Sequence, residues 1–437
     1  MTLIIRGAVF HDGRIRQTGV RVENGAITAV SDGDLGAAAQ IVELGPRELL
    51  LPAGVDGLCA MRDWNEAPRD TVETVTKAAL SAGVTVVCDQ ANTSPRINVP
   101  ERIRERSAFV AQRSYTDFGI AAHPPADHAL LEEYRDAGAH TLQLFPWELR
   151  PWLQPADIDD SAATFRRFAQ LGLPAFIFVD EFAFRETALQ EAAESFALRA
   201  LLPRLDPALR ARLFVTLPES VDLIQQHKAR LPNVSILSAP HYVLISREAA
   251  HERIGVAAMH SPPLRSATAA ARMREYAQQG KIDVVVSQHT PHRMPDKYNT
   301  DPVPNEFKPK AGFSSIDITY PLLLTELGVE RACQLYCEAP ARLLGLKQGA
   351  IAVGFEADLA IIECHEGAAE RQFHVSGGLT PGVWQVDPGQ FQSRGLVTPF
   401  VGQRLAYRVN RTYLRGELAY DRATGGYTRR AVRQVHA

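Results

Sequence analysis

Histidines and carboxylates are the side chains through which this chain could most readily do chemistry. His289 and His292 stand in a His-x-x-His spacing, and His241 and His260 fall near the ends of other apolar runs. Brought together, such imidazoles would suit a divalent metal. Asp180-Glu181 follows the apolar run 175–179 and offers a carboxylate pair for proton transfer. The plain structural alternative is that one of the two caps a helix or pairs with an arginine. Arg62-Asp63 is read as an ion pair. The chain carries no Walker-type phosphate loop and no nucleophile elbow. Its five cysteines, Cys59, Cys88, Cys333, Cys337 and Cys364, are odd in number and scattered, which argues against a disulfide framework. Cys333 and Cys337 read as small buried apolar residues of one helix.

The elements that must position these groups are legible in the hydrophobic pattern. Residues 1–50 alternate as short strands, with Asp12-Gly13 and Asn24-Gly25 as hairpin signals. From residue 51 short apolar runs alternate with helix-like stretches. Runs at 84–87, 141–145, 175–179, 213–216, 234–237 and 282–286 follow helical patterns at 70–82, 128–138, 160–171, 186–210, 219–231 and 266–279. Repetition of this kind implies parallel strands with crossover helices, and its extent fits an eight-stranded barrel. After residue 346 the β pattern returns: 349–351 and 357–362 read as strands about a Val353-Gly354 turn, with further strands near 404–420. The expected division is 1–50 and 346–437 in a small β-sandwich and tail, with 51–345 as a (β/α)8 barrel. The polar loop 293–313 is long enough to be a mobile lid or an interaction loop.

Composition narrows the classes. A chain of 437 residues with 46% hydrophobic and 22% charged residues is ordinary for a globular protein. A formal net charge of -3 gives no basic footprint for nucleic acid. No uncharged apolar stretch approaches the ~20 residues of a membrane helix, and the start shows no signal-peptide pattern. The expectation is a cytoplasmic protein.

Seven segments, in order, carry a resemblance. They are Leu51-Pro52-Ala53-Gly54-Val55-Asp56 leading into Gly57–Asp63, then 82–93 with its Asn92-Thr93 end, Ala239-Pro240-His241, Pro262-Pro263-Leu264-Arg265-Ser266, His289-Thr290-Pro291-His292, 349–360 and Thr398-Pro399-Phe400-Val401-Gly402. Together they resemble the dihydroorotases of the cyclic amidohydrolase superfamily across almost the whole chain. The resemblance implies a TIM-like barrel of the amidohydrolase type, with the β-sandwich built from both terminal segments.

It also implies a metal site, whose ligands are missing. The family's His-x-His pair falls on Leu58 and Ala60, its carboxylated lysine on Gln143, its further histidines on Phe178 and Phe214, and its aspartate on Gln288. No His-x-His pair occurs anywhere in the chain. None of the six is a good ligand for a divalent ion, and glutamine cannot act as the general base. The expectation is no metal, no cofactor and no dihydroorotase catalysis. Two phenylalanines and a leucine would fill the vacated volume, and Gln143 would hydrogen-bond to Gln288. The positions matching the family's carboxylate-binding trio keep their types: Arg62, Asn92 and His292. They suit a small carboxylate such as dihydroorotate or carbamoyl aspartate; alternatively they persist as hydrogen-bonding parts of strand ends. The resemblance thus implies a non-catalytic homologue that accompanies aspartate transcarbamoylase as an assembly partner, itself a homo-oligomer. The other readings are a repurposed metal-free enzyme using His292, His289, Asp180 and Glu181, or a ligand sensor.

Overall fold

The computed structural model describes residues 2–125, 127–148, 158–180, 190–298, 310–364 and 384–437. Glu181 and the centre of the polar loop, 299–309, lie outside the described residues.

The N-terminal strands are β1 (Thr2–His11), β2 (Arg14–Glu23), β3 (Ala26–Ser31), β4 (Gln40–Glu43) and β5 (Glu48–Pro52). The β1–β2 and β2–β3 hairpins turn on the two expected dipeptides, with positive φ at Asp12, Gly13, Asn24 and Gly25. Type I′ turns need that conformation at both central residues. The barrel strands follow: β6 (Gly54–Cys59), β7 (Val84–Asp89), β8 (Asp117–Ala122), β9 (Ala139–Leu144), β10 (Ala175–Phe178), β11 (Ala211–Phe214), β12 (Val234–Ser238) and β13 (Val284–Val285). Each is parallel to the next in chain order. The sequence pattern missed β8, whose Gly119, Ala121 and Ala122 give little apolar bulk, and the helix Pro100–Ala111 before it.

The C-terminal segment supplies β14 (Leu359–Cys364), β15 (Trp384–Gln385), β16 (Arg404–Leu405), β17 (Tyr407–Leu414), β18 (Glu417–Asp421), β19 (Gly426–Tyr427) and β20 (Gln434–Val435). β14 joins β5 and β17, so both chain ends build one nine-stranded sheet. Its strands bury both faces: Leu50, Leu359 and Ile361 enter a core within the β unit, while Leu49, Leu51, Ala360 and Ile362 enter the core shared with the barrel helices. Residues 349–351 are not a strand. They follow a turn, and Ile351 accepts from His11 Nδ1 at 2.7 Å. Two parts of the C-terminal segment leave the β unit. β20 pairs with barrel strand β8, and Val397, Phe400 and Leu405 pack into the core at the open end of the barrel.

The barrel closes where Cys59 bridges His289 and the Ala60 amide donates to the His289 carbonyl at 2.7 Å. Asp56, fully buried, accepts from the Leu58 amide (3.0 Å), the Ser287 amide (3.1 Å) and the Tyr336 hydroxyl (2.7 Å), tying the first strand to the last. A second buried carboxylate, Glu194, accepts from the Thr216 amide and hydroxyl and from Ser220 Oγ, and faces Arg265 at 3.3 Å. Arg265 in turn donates to Thr216 Oγ1 at 2.7 Å. This network fixes the chain after β11 against the Pro-Pro-Leu-Arg-Ser segment. Removing one partner leaves the other charge buried, so Glu194→Ala is expected to cost about 3–5 kcal/mol in urea unfolding. Arg265→Met added to it should recover part of that loss; a single variant within error of the parent would refute the assignment.

Candidate functional site

The C-terminal ends of the barrel strands open on a cavity of about 280 Å³. Arg62, Asn92 and His292, from three separate segments, all line it. Arg69 and Lys310 add positive charge, and Glu66 is the carboxylate among the lining residues. The opposite wall is aromatic. Phe178, Phe145 and Trp147 stack in a ladder, with ring centroids 4.9 and 4.5 Å apart and interplanar angles of 11° and 4°. Phe145 is held from behind: Glu148 accepts from its amide at 2.7 Å and from His123 Nδ1 at 2.5 Å. A flat apolar wall facing cations suits a planar anion.

Arg62 is placed by backbone strain that its surroundings enforce. Arg62, Asp63 and Trp64 have φ of 55°, 66° and 50°, an unusual run for residues with side chains. Arg106 donates to the Arg62 carbonyl at 2.8 Å and to Asp89 at 2.8 Å, and Asp89 accepts from the Met61 amide at 2.9 Å. The Arg106 guanidinium also lies over the Trp64 ring at 4.6 Å. Arg62 itself donates to Glu66 at 2.9 Å and approaches His292 Nε2 at 3.3 Å. The expected Arg62–Asp63 ion pair does not form, because the turned backbone sends Asp63 to accept from the Val72 amide at 2.9 Å. Glu66 holds Arg69 as well, at 2.7 Å. Burial and the nearby Arg62, Lys297 and Arg69 push His292 well below its ordinary value, so its imidazole is neutral. Sequence reasoning did not single out Glu66, Arg69, Arg106, Phe145 or Trp147. The Arg-x-x-x-Glu-x-x-Arg spacing of 62, 66 and 69 is the signal that could have found the first two.

The six positions where the resemblance locates metal ligands are all buried. Leu58, Phe178 and Phe214 share one apolar cluster with Phe176, and the rings of Phe178 and Phe214 lie 5.2 Å apart. Gln143 and Gln288 do not bond to each other. Gln143 Oε1 accepts from the Ala91 amide at 2.7 Å, while Gln288 accepts from His241 Nε2 at 2.9 Å and donates to the Ser261 carbonyl at 3.2 Å. Both amide oxygens are thus taken by other donors, and the buried Gln143 Nε2 is left without an acceptor. The donor set therefore does not fit a divalent ion: four positions have no donor atom and both glutamine oxygens are engaged.

Among the described residues His241, His260, His289 and His292 are not brought together as a metal centre. His241 and His260 stack with centroids 4.2 Å apart, but His289 turns away, its Nδ1 accepting from the Ser315 amide at 3.0 Å. Among the described residues no group of three or more His, Cys, Asp or Glu could hold a metal. Asp180 is buried and does not line the cavity. The tail segment closes over this side: a Cβ on Gly395 would stand 2.7 Å from the His292 amide nitrogen, so only glycine fits there. No helix among the described residues is long and apolar enough to cross a membrane.

No family model matches the chain. Dihydroorotases and related cyclic amidohydrolases are nevertheless its homologues at low identity. The dihydroorotase of Pyrococcus abyssi is 23% identical over 427 residues, covering 96% of this chain and 95% of the relative. The allantoinase of Streptomyces avermitilis is 26% identical, covering 92% and 91%. The L-hydantoinase of Paenarthrobacter aurescens is 25% identical, covering 95% and 93%. Among solved structures, L-hydantoinase from Arthrobacter aurescens superposes with a TM-score of 0.84 at 22% identity over 100% of this chain and 99% of that one. Dihydropyrimidinase from Brevibacillus agri gives 0.81 at 19% identity, covering 100% and 98%. The chain thus has the amidohydrolase TIM-barrel fold, with its β unit built from both ends.

Lys297, near the cavity, yields a pH prediction. It is buried, donates to the Met259 carbonyl at 2.7 Å, and burial lowers it from 10.5 to about 7. Below that value folded and unfolded states both carry the ammonium, and the burial cost is felt in full. Above it the folded state sheds the proton first. Stability therefore rises with pH from about 7 toward the ordinary lysine value, by up to roughly 1.4 kcal/mol per pH unit. In urea titrations Lys297→Met should lack this slope relative to the parent and be the more stable of the two at pH 6. Parallel pH profiles would overturn it.

Proposed function

We propose that this chain is a non-hydrolytic protein on the cyclic-amidohydrolase barrel that retains a small planar carboxylate at its mouth. One observation carries the reading. Three of the positions that correspond to metal ligands, Leu58, Phe178 and Phe214, form an apolar plug with Phe176, and Gln143 and Gln288 beside it are neutral amides, while Arg62, Asn92 and His292 line an open cavity directly above. Hydrolysis of a cyclic amide needs an activated water and a base, and the plug offers neither. Binding needs only a charged fork and a shaped wall, and both are present. Ligands of the dihydroorotate or carbamoyl aspartate type match the cavity in charge, and the aromatic ladder favours a ring.

Metal-free catalysis has less support. Of its candidate acids and bases, only His292 faces the cavity among the described residues, and a strongly depressed imidazole is a weak base. The assembly role beside aspartate transcarbamoylase belongs to the same proposal. It rests on the sequence resemblance and on the reasoning that a barrel with a plugged mouth still offers its outer surface to a partner.

Thermal melting with dihydroorotate, orotate and carbamoyl aspartate tests the binding. A ligand at 100 times its Kd stabilises the native state by about 2.7 kcal/mol. At least one should raise the melting temperature saturably, and Arg62→Ala should weaken its affinity roughly 10- to 100-fold. The purified protein should contain no stoichiometric zinc or manganese after growth with either metal and should not open dihydroorotate. Ring opening with bound metal would sink the proposal. Copurification with aspartate transcarbamoylase would support the assembly role, and its consistent absence would count against it.

A further inference from the structure

A second cluster of cations lies at the other end of the barrel. A cavity of about 360 Å³ opens among the N-terminal ends of β11, β12 and β13 and the short helix Ala339–Leu343. Arg210, Arg212, Lys228 and Arg342 line it, and Asp283 is its carboxylate. Asp283 is already engaged, with Lys228 at 2.7 Å and the Ile236 amide at 2.7 Å.

Arg212 is the exceptional member. It is 5% exposed, and its hydrogen bond is to the Leu343 carbonyl at 3.0 Å. Burial lowers its guanidinium to about 10, with no carboxylate raising it. Its neighbours inside the barrel are uncharged at neutral pH: burial raises the Cys88 thiol to about 12 and lowers His140 to about 3. Three other buried arginines each face a carboxylate: Arg62 with Glu66, Arg106 with Asp89, Arg265 with Glu194. A buried cation with no anion is costly to retain.

We propose that this floor cavity is a binding site for a small phosphorylated anion, with Arg212 as its inner anchor and Arg210, Lys228 and Arg342 as its rim. Forked guanidinium groups recognise phosphoryl oxygens through paired charge-assisted bonds. Sites at this face of a barrel serve stability rather than chemistry, so the ligand would stabilise the fold and take no part in turnover.

The test uses inorganic phosphate and pyrophosphate as probes on the full chain, with sodium chloride at matched ionic strength as control. Pyrophosphate should raise the melting temperature saturably and beyond the chloride effect. Arg212→Met should abolish the shift while melting, without ligand, no lower than the parent. If that variant does not fold, Arg342→Gln, an exposed position, should weaken binding by roughly three- to tenfold. Arg62→Ala should leave the pyrophosphate response intact, which separates this site from the mouth. A shift no larger than chloride gives, or one unchanged in both floor variants, would overturn the proposal.

Discussion

The inside of an eight-stranded barrel has to be filled, and whatever fills it decides what its mouth can do. Side chains pointing inward from eight strands meet on one axis, where voids and unpaired polar groups are both costly. Here the upper layer is filled by Leu58, Phe176, Phe178 and Phe214. Burying each such side chain contributes about 1.5–3 kcal/mol. These four side chains carry no electron-pair donor, and the charged groups stand at the rim. There the Phe178–Phe145–Trp147 ladder carries the apolar surface of the plug up to the cavity wall.

At the rim, strain does the positioning. Three successive left-handed residues would not persist in an isolated loop. They persist because the buried Arg106–Asp89 pair grips the chain on both sides, at the Met61 amide and the Arg62 carbonyl. The pair is fully enclosed, so its geometry is insulated from salt and solvent. Arg62 is thereby set against Glu66 and His292, and Glu66 orients Arg69 toward the same cavity. One enclosed ion pair on β7 and the following helix thus governs the direction of a guanidinium from the loop after β6.

Much of this was legible in the sequence, for identifiable reasons. Period and turn chemistry gave the hairpins at Asp12-Gly13 and Asn24-Gly25 and the alternation of strands and helices, because those signals are local. β8 escaped because a strand buried on both faces can be built from glycine and alanine, which carry no periodic signature. The fate of Gln143 and Gln288 also escaped: the register of β9 against its neighbours decides which amide a glutamine meets, and that is a tertiary fact. The Arg62–Asp63 pairing failed because adjacency in sequence says nothing about a chain that turns through positive φ. The aromatic wall and the Arg106 grip depend on residues far apart in the chain and had no local signal at all. The covering of the mouth by 386–405 is of the same kind; only Gly395, pressed against His292, marks it.

The glutamines also explain why such a mouth changes as a unit. Gln288 has φ 47°, a conformation that suits aspartate or asparagine better than glutamine. It stays because its amide satisfies His241 on one side and Ser261 on the other. An aspartate there, with no cation to face, would be a buried carboxylate against an imidazole that burial holds neutral, at about 3. Either the carboxylate would take a proton or the imidazole would charge, and both carry a desolvation cost. A lysine in place of Gln143, with no metal to receive a carbamate, would be a buried ammonium beside the Ala91 amide, where an acceptor is needed. Each ligand type is tolerable only while the cation is present. In a mouth without a cation each such ligand would be a buried charge or an unsatisfied donor, whereas neutral amides and apolar rings are what a packed barrel accepts.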